Sequence, residues 1–152
     1  MSRNFTMQRG MTRVVFGAGA CERIVQDIEP LGVQRVLVVS TPGRKAAAAA
    51  LAARLGARSA GVLAIAREHV PAETVTEGRH ELEKCDADAV LARGGGSAIG
   101  LAKALALSGR VRVIAVPTTY SGSEMTPIYG VTEAGEKKTG REVWRYEFPL
   151  HS

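Results

Sequence analysis

Apolar residues in this chain fall into short blocks of two kinds that alternate. The first kind is an unbroken run rich in small or β-branched residues: RVLVVS (35–40), AGVLAIA (60–66), DAVLAR (88–93) and VRVIAVP (111–117). Such runs fit strands covered on both faces. The second kind is longer and periodic or alanine-rich: GACERIVQDIEPLG (19–32), TPGRKAAAAALAARLG (41–56), PAETVTEGRHELEKCD (71–86) and SAIGLAKALALSG (97–109). These read as helices. Pro30 and Gly32 stop the first; in the second, Thr41 is placed to cap, Pro42 suits a first turn and Gly56 ends it. TRVVFG (12–17) adds an early strand. The alternation predicts an α/β fold, an open, mostly parallel, doubly wound (Rossmann-like) sheet with helices on both faces and right-handed crossovers.

The pattern changes after Pro117. TTYSGSEMTPIYGVTEAGEKKTGR is rich in Thr, Ser and Gly, and predicts a loop and then a hairpin around Glu133–Gly135. EVWRYEFPLHS, the last eleven residues, holds the single Trp and does not continue the alternation. The reading is therefore one dinucleotide-binding-type unit over 1–141 and a divergent tail over 142–152.

Composition narrows the class of protein. A chain of 152 residues is enough for one domain with a real core, and its apolar and charged fractions are those of a soluble globular protein. No apolar run reaches the length of a membrane span, and the start lacks a secretory layout, so the expected location is cytoplasmic. The net charge of +5 comes mostly from single, scattered arginines without interleaved aromatics, which argues against nucleic acid as partner. Cys21 and Cys85 stand far apart, and His69, His80 and His151 share no ligand spacing. Two reduced thiols and no metal site are expected.

The chemistry concentrates in RGGGSAIGLAKALAL, residues 93–107. Three consecutive glycines suit neither strand nor helix, because each loses much backbone freedom on folding. They sit where a strand should end and a helix begin, with Ser97 placed to cap that helix near Ala98. Ligands of open parallel sheets bind beyond the carboxyl ends of the strands. There, glycines let a backbone come close to a phosphate while free N–H groups and the helix dipole supply positive potential. A diphosphate suits such a turn. It is not a Walker loop, since Leu101 and Ala102 stand where Lys-Ser/Thr is required, and it is not GxGxxG. Lys103 reads as a solvated side chain beyond the first turn.

A second element, PTTYSGSE (117–124), follows the next strand and carries hydroxyls at Thr118, Thr119, Ser121 and Ser123, able to wrap a sugar or adenine edge. After RVLVVS, where an acidic residue would hold a ribose diol, stand Ser40, Thr41 and Pro42, followed by Arg44 and Lys45. That pattern tolerates a ribose 2′-phosphate, so NAD and NADP both remain open.

RGGGSAIGLAKALAL with VIAVPTTYSGSEMTPIYGVTEAGEKKTGR resembles the amino-terminal domain of the maleylacetate reductase branch of the iron-containing alcohol dehydrogenase superfamily. The resemblance covers roughly residues 5–141. It implies that Gly95, Gly96 and Ser97 hold a cofactor diphosphate, that Thr118, Thr119 and Ser123 surround a ribose, and that Thr41 lies beside the adenosine ribose. It also implies a cofactor-side lysine at Lys138, with Lys137 competing for the match. Metal-dependent relatives carry Asp at the position of Gly100.

The implied activity is reduction of a small dicarboxylate, maleylacetate to 3-oxoadipate, by a nicotinamide hydride. The superfamily's active-site histidines belong to an all-helical second domain absent from this sequence. EVWRYEFPLHS departs from the pattern, so the chain reads as a truncated or frameshifted form that binds NAD or NADP without turnover and exposes apolar faces that favour a homodimer. Two alternatives stand beside this: a non-catalytic nucleotide-binding module, and a fragment of a metal-dependent alcohol or polyol dehydrogenase.

Overall fold

The computed structural model describes residues 5–9, 12–16, 19–108, 110–119, 128–141 and 146–150, with side chains over 19–107, 110–119 and 130–139. Strands β1 (Phe5–Arg9) and β2 (Thr12–Phe16) come first, then a 3₁₀ turn (Ala20–Arg23) and helix α1 (Ile24–Ile28). There follow β3 (Val36–Val39), α2 (Lys45–Leu55), β4 (Ser59–Leu63), α3 (Ala72–Cys85), β5 (Ala89–Gly94), α4 (Gly96–Leu105) and β6 (Arg112–Pro117). β7 (Ile128–Glu133) and β8 (Glu136–Arg141) form a separate hairpin, and β9 (Tyr146–Leu150) comes last.

Seven strands pair in the order β1-β2-β9-β6-β5-β3-β4. Among the described strands of this sheet, β1 and β2 run antiparallel and every other neighbouring pair is parallel. Alternate residues of the central strands feed two separate cores, as the two-residue period of a strand requires. Val36 and Val38 of β3, Leu91 of β5 and Ile114 of β6 pack with α1 and α2. Leu37, Val39, Val90 and Val113 pack with α3 and α4 on the other face. The doubly wound sheet expected from the apolar runs is the one observed.

Each helix shows why its sequence folds there. In α2 the buried residues are Ala48, Leu51, Ala52 and Leu55, one stripe at helical spacing. Its polar neighbours face outward, and Gly56 follows at φ 57°. In α3, Gly78 lies against Leu105 of α4; a β-carbon there would sit 2.7 Å from Leu105 Cδ2, so the glycine sets how closely the two helices approach. α4 is buried from Ala98 through Leu105, enclosed by the sheet, α3 and the β7–β8 hairpin. The expectation of a solvated Lys103 is therefore wrong. No side of that turn of α4 meets water, and Lys103 is fully buried.

Two further departures concern the ends of elements. The 3₁₀ turn Pro42–Arg44 precedes α2, and the Thr41 side chain makes no capping bond. A backbone bond from Arg44 N to Thr41 O (3.0 Å) closes the turn instead, which removes the need for a side-chain cap. At the other end of the chain, β9 lies between β2 and β6, paired in parallel with both. Five residues of the tail thus join the sheet, although their composition differs from the earlier buried strands. Pro149 falls within this strand, so the sequence signal there was weak.

At the start of β3, Asp88 ties two strands together. Its carboxylate accepts from Gln34 N (2.8 Å) and Arg35 N (2.9 Å), while Asp88 N donates to Arg35 O (2.9 Å). No helix among the described residues is long and apolar enough to cross a membrane.

Candidate functional site

Strand order determines where a ligand-binding crevice opens. From β3 the chain crosses by α2 to β4 on one side; from β5 it crosses by α4 to β6 on the other. The two helices pack on opposite faces, so the loops after β3 and β5 part at the carboxyl ends of adjacent strands. Val39 pairs with Ala92 in the β3–β5 register, which brings the residues after β3, Ser40 and Thr41, alongside Arg93 and Gly94. Thr41 and the glycine turn therefore share this switch point.

The three glycines have different reasons to be there. Gly94 ends β5 at φ 147°, in a region that side chains rarely adopt, and a β-carbon on it would meet Ala98 Cβ at 3.2 Å. Gly95 is the N-cap residue of α4, and a β-carbon there would lie 2.7 Å from Thr119 Oγ1. The positive φ and the Ala98 contact thus ask for glycine at Gly94, while at Gly95 the crowding group is a hydroxyl that can turn aside. Gly96 opens α4 and is exposed. Helix geometry leaves the first N–H groups of α4 without intrahelical acceptors, directed out at the crevice.

Ser97 does not cap the helix. α4 begins one residue before it, Ile99 N bonds to Gly95 O at 3.2 Å, and no side-chain cap is made. The extended conformation of Gly95 starts the helix earlier than the serine pattern suggests, leaving Ser97 half-buried in the first turn. The second loop meets the first directly. Gly94 pairs with Pro117, and Thr118 N donates to Gly94 O at 3.0 Å. Thr118 and Thr119 are both exposed there.

The structure thus brings together Gly95, Gly96, Ser97, Thr118, Thr119 and, by register, Thr41. Ser123 lies outside the described residues. Lys138 is exposed on β8, where its Nζ pairs with Glu133 Oε2 at 3.2 Å; Lys137 is its neighbour on the same strand. Gly100 faces Val70, and a β-carbon at this position would come 2.7 Å from Val70 Cγ2. Val70 is buried and has φ 46°, so an aspartate has no room at Gly100 in this packing.

Beneath Arg93 lies a pocket of about 230 Å³ that the sequence did not signal, lined on the α2 face by Cys21, Ala47, Ala50, Leu51, Arg54, Arg93 and Val116. Burial pushes the Cys21 thiol up to about 11, and the nearby Arg93 and Arg54 oppose the shift. Cys85, half-buried on α3, is raised chiefly by burial too. Both cysteines are free. Among the described residues, no three His, Cys, Asp or Glu side chains gather in a metal-ligand set.

Comparison with known proteins places this geometry. The family described as iron-containing alcohol dehydrogenase matches residues 11–145. A maleylacetate reductase of Burkholderia cepacia is 49% identical over 139 residues, covering 91% of this chain and 40% of that protein. Maleylacetate reductase 2 of Cupriavidus pinatubonensis is 50% identical over 130 residues, covering 86% and 36%. The crystal structure of maleylacetate reductase from Agrobacterium tumefaciens superposes with a TM-score of 0.89 at 40% identity, over 99% of this chain and 43% of that one. The chain thus spans about two fifths of the length of these relatives. With most of its length matched and the same α/β fold, it belongs to the iron-containing alcohol dehydrogenase family.

Proposed function

We propose that this chain is the nicotinamide-dinucleotide-binding part of a maleylacetate reductase-like oxidoreductase. The observation behind this reading is the meeting, at the sheet's switch point, of the Gly94–Ser97 turn with Thr118 and Thr119, in a chain about half identical to maleylacetate reductases. A fold neighbour, the sulfoacetaldehyde reductase of Bifidobacterium kashiwanohense, was solved in complex with NAD+; it is 21% identical and supports the fold.

The turn fits the cofactor's diphosphate. Gly96 is exposed at the start of α4, where N–H groups and the helix dipole favour an anion without a side chain between. Gly95, Gly96 and Ser97 would hold the diphosphate; Thr118, Thr119 and Ser123 would line a ribose, and Thr41 the adenosine ribose. Lys138 would lie on the cofactor side once freed from Glu133. No acidic residue follows β3, and Arg44 and Lys45 are exposed close by, so both NAD and NADP are accepted in this reading. When bound, the nicotinamide supplies a hydride, in this family branch to the carbon–carbon double bond of maleylacetate.

Residues 1–141 form the binding unit in this proposal, and β9 of the tail completes its sheet. In this reading, groups that clamp a dicarboxylate and stabilise its developing enolate come from outside the matched portion. The matched portion contributes NAD(P)H binding. Backbone amide NMR tests the placement: adding NADH is expected to shift Gly94–Ala98 and Thr118–Thr119 most. Shifts confined to other parts of the sheet would refute the assigned site.

A further inference from the structure

The pocket on the α2 face holds chemistry that the nucleotide reading does not use. Arg93 follows Ala89 and Leu91 in the alternation of β5, so its side chain leaves the sheet on the face opposite α4. Val116, its register partner on β6, lies on the same side. Ala47, Ala50, Leu51 and Arg54 come from one side of α2 at helical spacing, and Cys21 closes the third wall. Arg54 donates from Nη1 to Cys21 O at 3.3 Å, which fixes its guanidinium at the rim.

Two guanidinium groups therefore border one pocket of about 230 Å³. Among the described residues no carboxylate lines it, and none pairs with either arginine. Elsewhere the pairing is different: Arg58 meets Glu29 at 3.5 Å. Two cations bordering one pocket with an apolar wall raise its local positive potential. Planar guanidinium forks match the oxygens of carboxylates and phosphates. The remaining wall is aliphatic, and the volume exceeds what one oxyanion group fills.

We propose that this pocket binds a small oxyanion carried on a short apolar body. The charge is held between Arg54 and Arg93, and the carbon part lies against Ala47, Ala50, Leu51 and Val116. The proposal does not rest on the nucleotide reading: its lining comes from the α2 face, with Arg93 and Val116 directly before Gly94 and Pro117.

Hydrogen exchange of backbone amides at the pocket wall provides a local readout, followed by mass spectrometry in the full chain with peptides of α3 as internal standard. Butyrate at millimolar concentration is expected to slow exchange of peptides spanning Cys21 and Ala50–Arg54 but not of α3, and neutral butyramide to leave both unchanged. Inorganic phosphate as effective as butyrate would overturn the part of the proposal that gives the ligand a carbon body. Arg93→Gln and Arg54→Gln should each weaken the protection by about tenfold or more, as loss of a charge-assisted contact implies. Arg54 is exposed, so its variant keeps the test alive should R93Q not fold. The same protection in Gly96→Val would separate this pocket from the glycine turn. Absence of protection, equal protection by butyramide, or undiminished protection in both arginine variants would overturn the proposal.

Discussion

Gly94, Gly95 and Gly100 stand where a β-carbon would meet a neighbour, and their surroundings decide what substitution does. At Gly100 the neighbour is Val70 Cγ2, 2.7 Å from the position of a new β-carbon. Val70 is buried, and it and His69 hold positive φ angles of 46° and 63° in a short, tightly determined segment. Thr132 N also donates to Val70 O at 2.9 Å, so Val70 has little freedom to move aside. Gly100→Ala is expected to lower stability by about 1–3 kcal/mol, the usual effect of overpacking. The loss in the G100A/V70A double variant should be smaller than the sum of the single losses, measured by urea unfolding. At Gly95 the neighbour is the hydroxyl of exposed Thr119, which can rotate, and the stability effect there should be milder.

Cys21 gives a second expectation at this scale. Its thiol is raised from 9.0 to about 11, chiefly by burial. The native state then holds its proton where the unfolded chain has released it. This contribution to stability is complete below about pH 9 and is lost as pH rises toward 11. Cys21→Ser should flatten the alkaline decline between those values. An unchanged pH–stability profile in the variant would contradict the burial described for this thiol.

Among the elements, the β7–β8 hairpin turns through Ala134 (φ 51°) and Gly135 (φ 79°), with Glu133 paired to Glu136. Two positive φ angles in a two-residue loop define a primed turn, in which Asn-Gly is favoured and alanine is strained at the first position. Ala134→Asn is expected to raise stability by roughly 0.5–1 kcal/mol, since Asn tolerates the left-handed region better. A shift of the urea midpoint upward with unchanged slope would report it.

The hairpin, β3 to β6 and the stripe of α2 were readable in the sequence because local pattern and tertiary role agree in them. Local reading failed where distant contacts decide. Lys103 looked solvated because nothing local shows that α3 and the hairpin enclose α4. Ser97 looked like a cap because the residue type fits, but Gly95 already starts the helix. β1 and β9 went unread because one lies in a short polar stretch and the other contains a proline and unfamiliar composition. The glycine turn and the threonine loop were readable as candidates; that they touch, with Thr118 N on Gly94 O, needed the β5–β6 register.

Over the whole molecule, topology gives the site its position. α2 and α4 leave adjacent strands toward opposite faces, and the turn carrying Gly96 lies at the resulting opening, with Thr41 alongside by register. β9 extends the sheet between β2 and β6, so the tail contributes to the framework that carries the loops. The match to maleylacetate reductases covers nearly all of this chain and about two fifths of theirs. The portion matched is the one whose fold neighbours include an NAD+ complex, so cofactor binding is the property to test in this chain.

Whether the turn at the switch point holds a dinucleotide diphosphate decides the functional reading, and titration of NADH into the wild-type chain and Gly96→Val addresses it. Binding in the micromolar range or weaker is expected for the wild type, with the variant losing it by about tenfold or more because a branched side chain crowds the phosphate. Circular dichroism should show the variant folded. Equal affinity in wild type and a folded variant would contradict the diphosphate assignment and leave the glycines as packing residues alone.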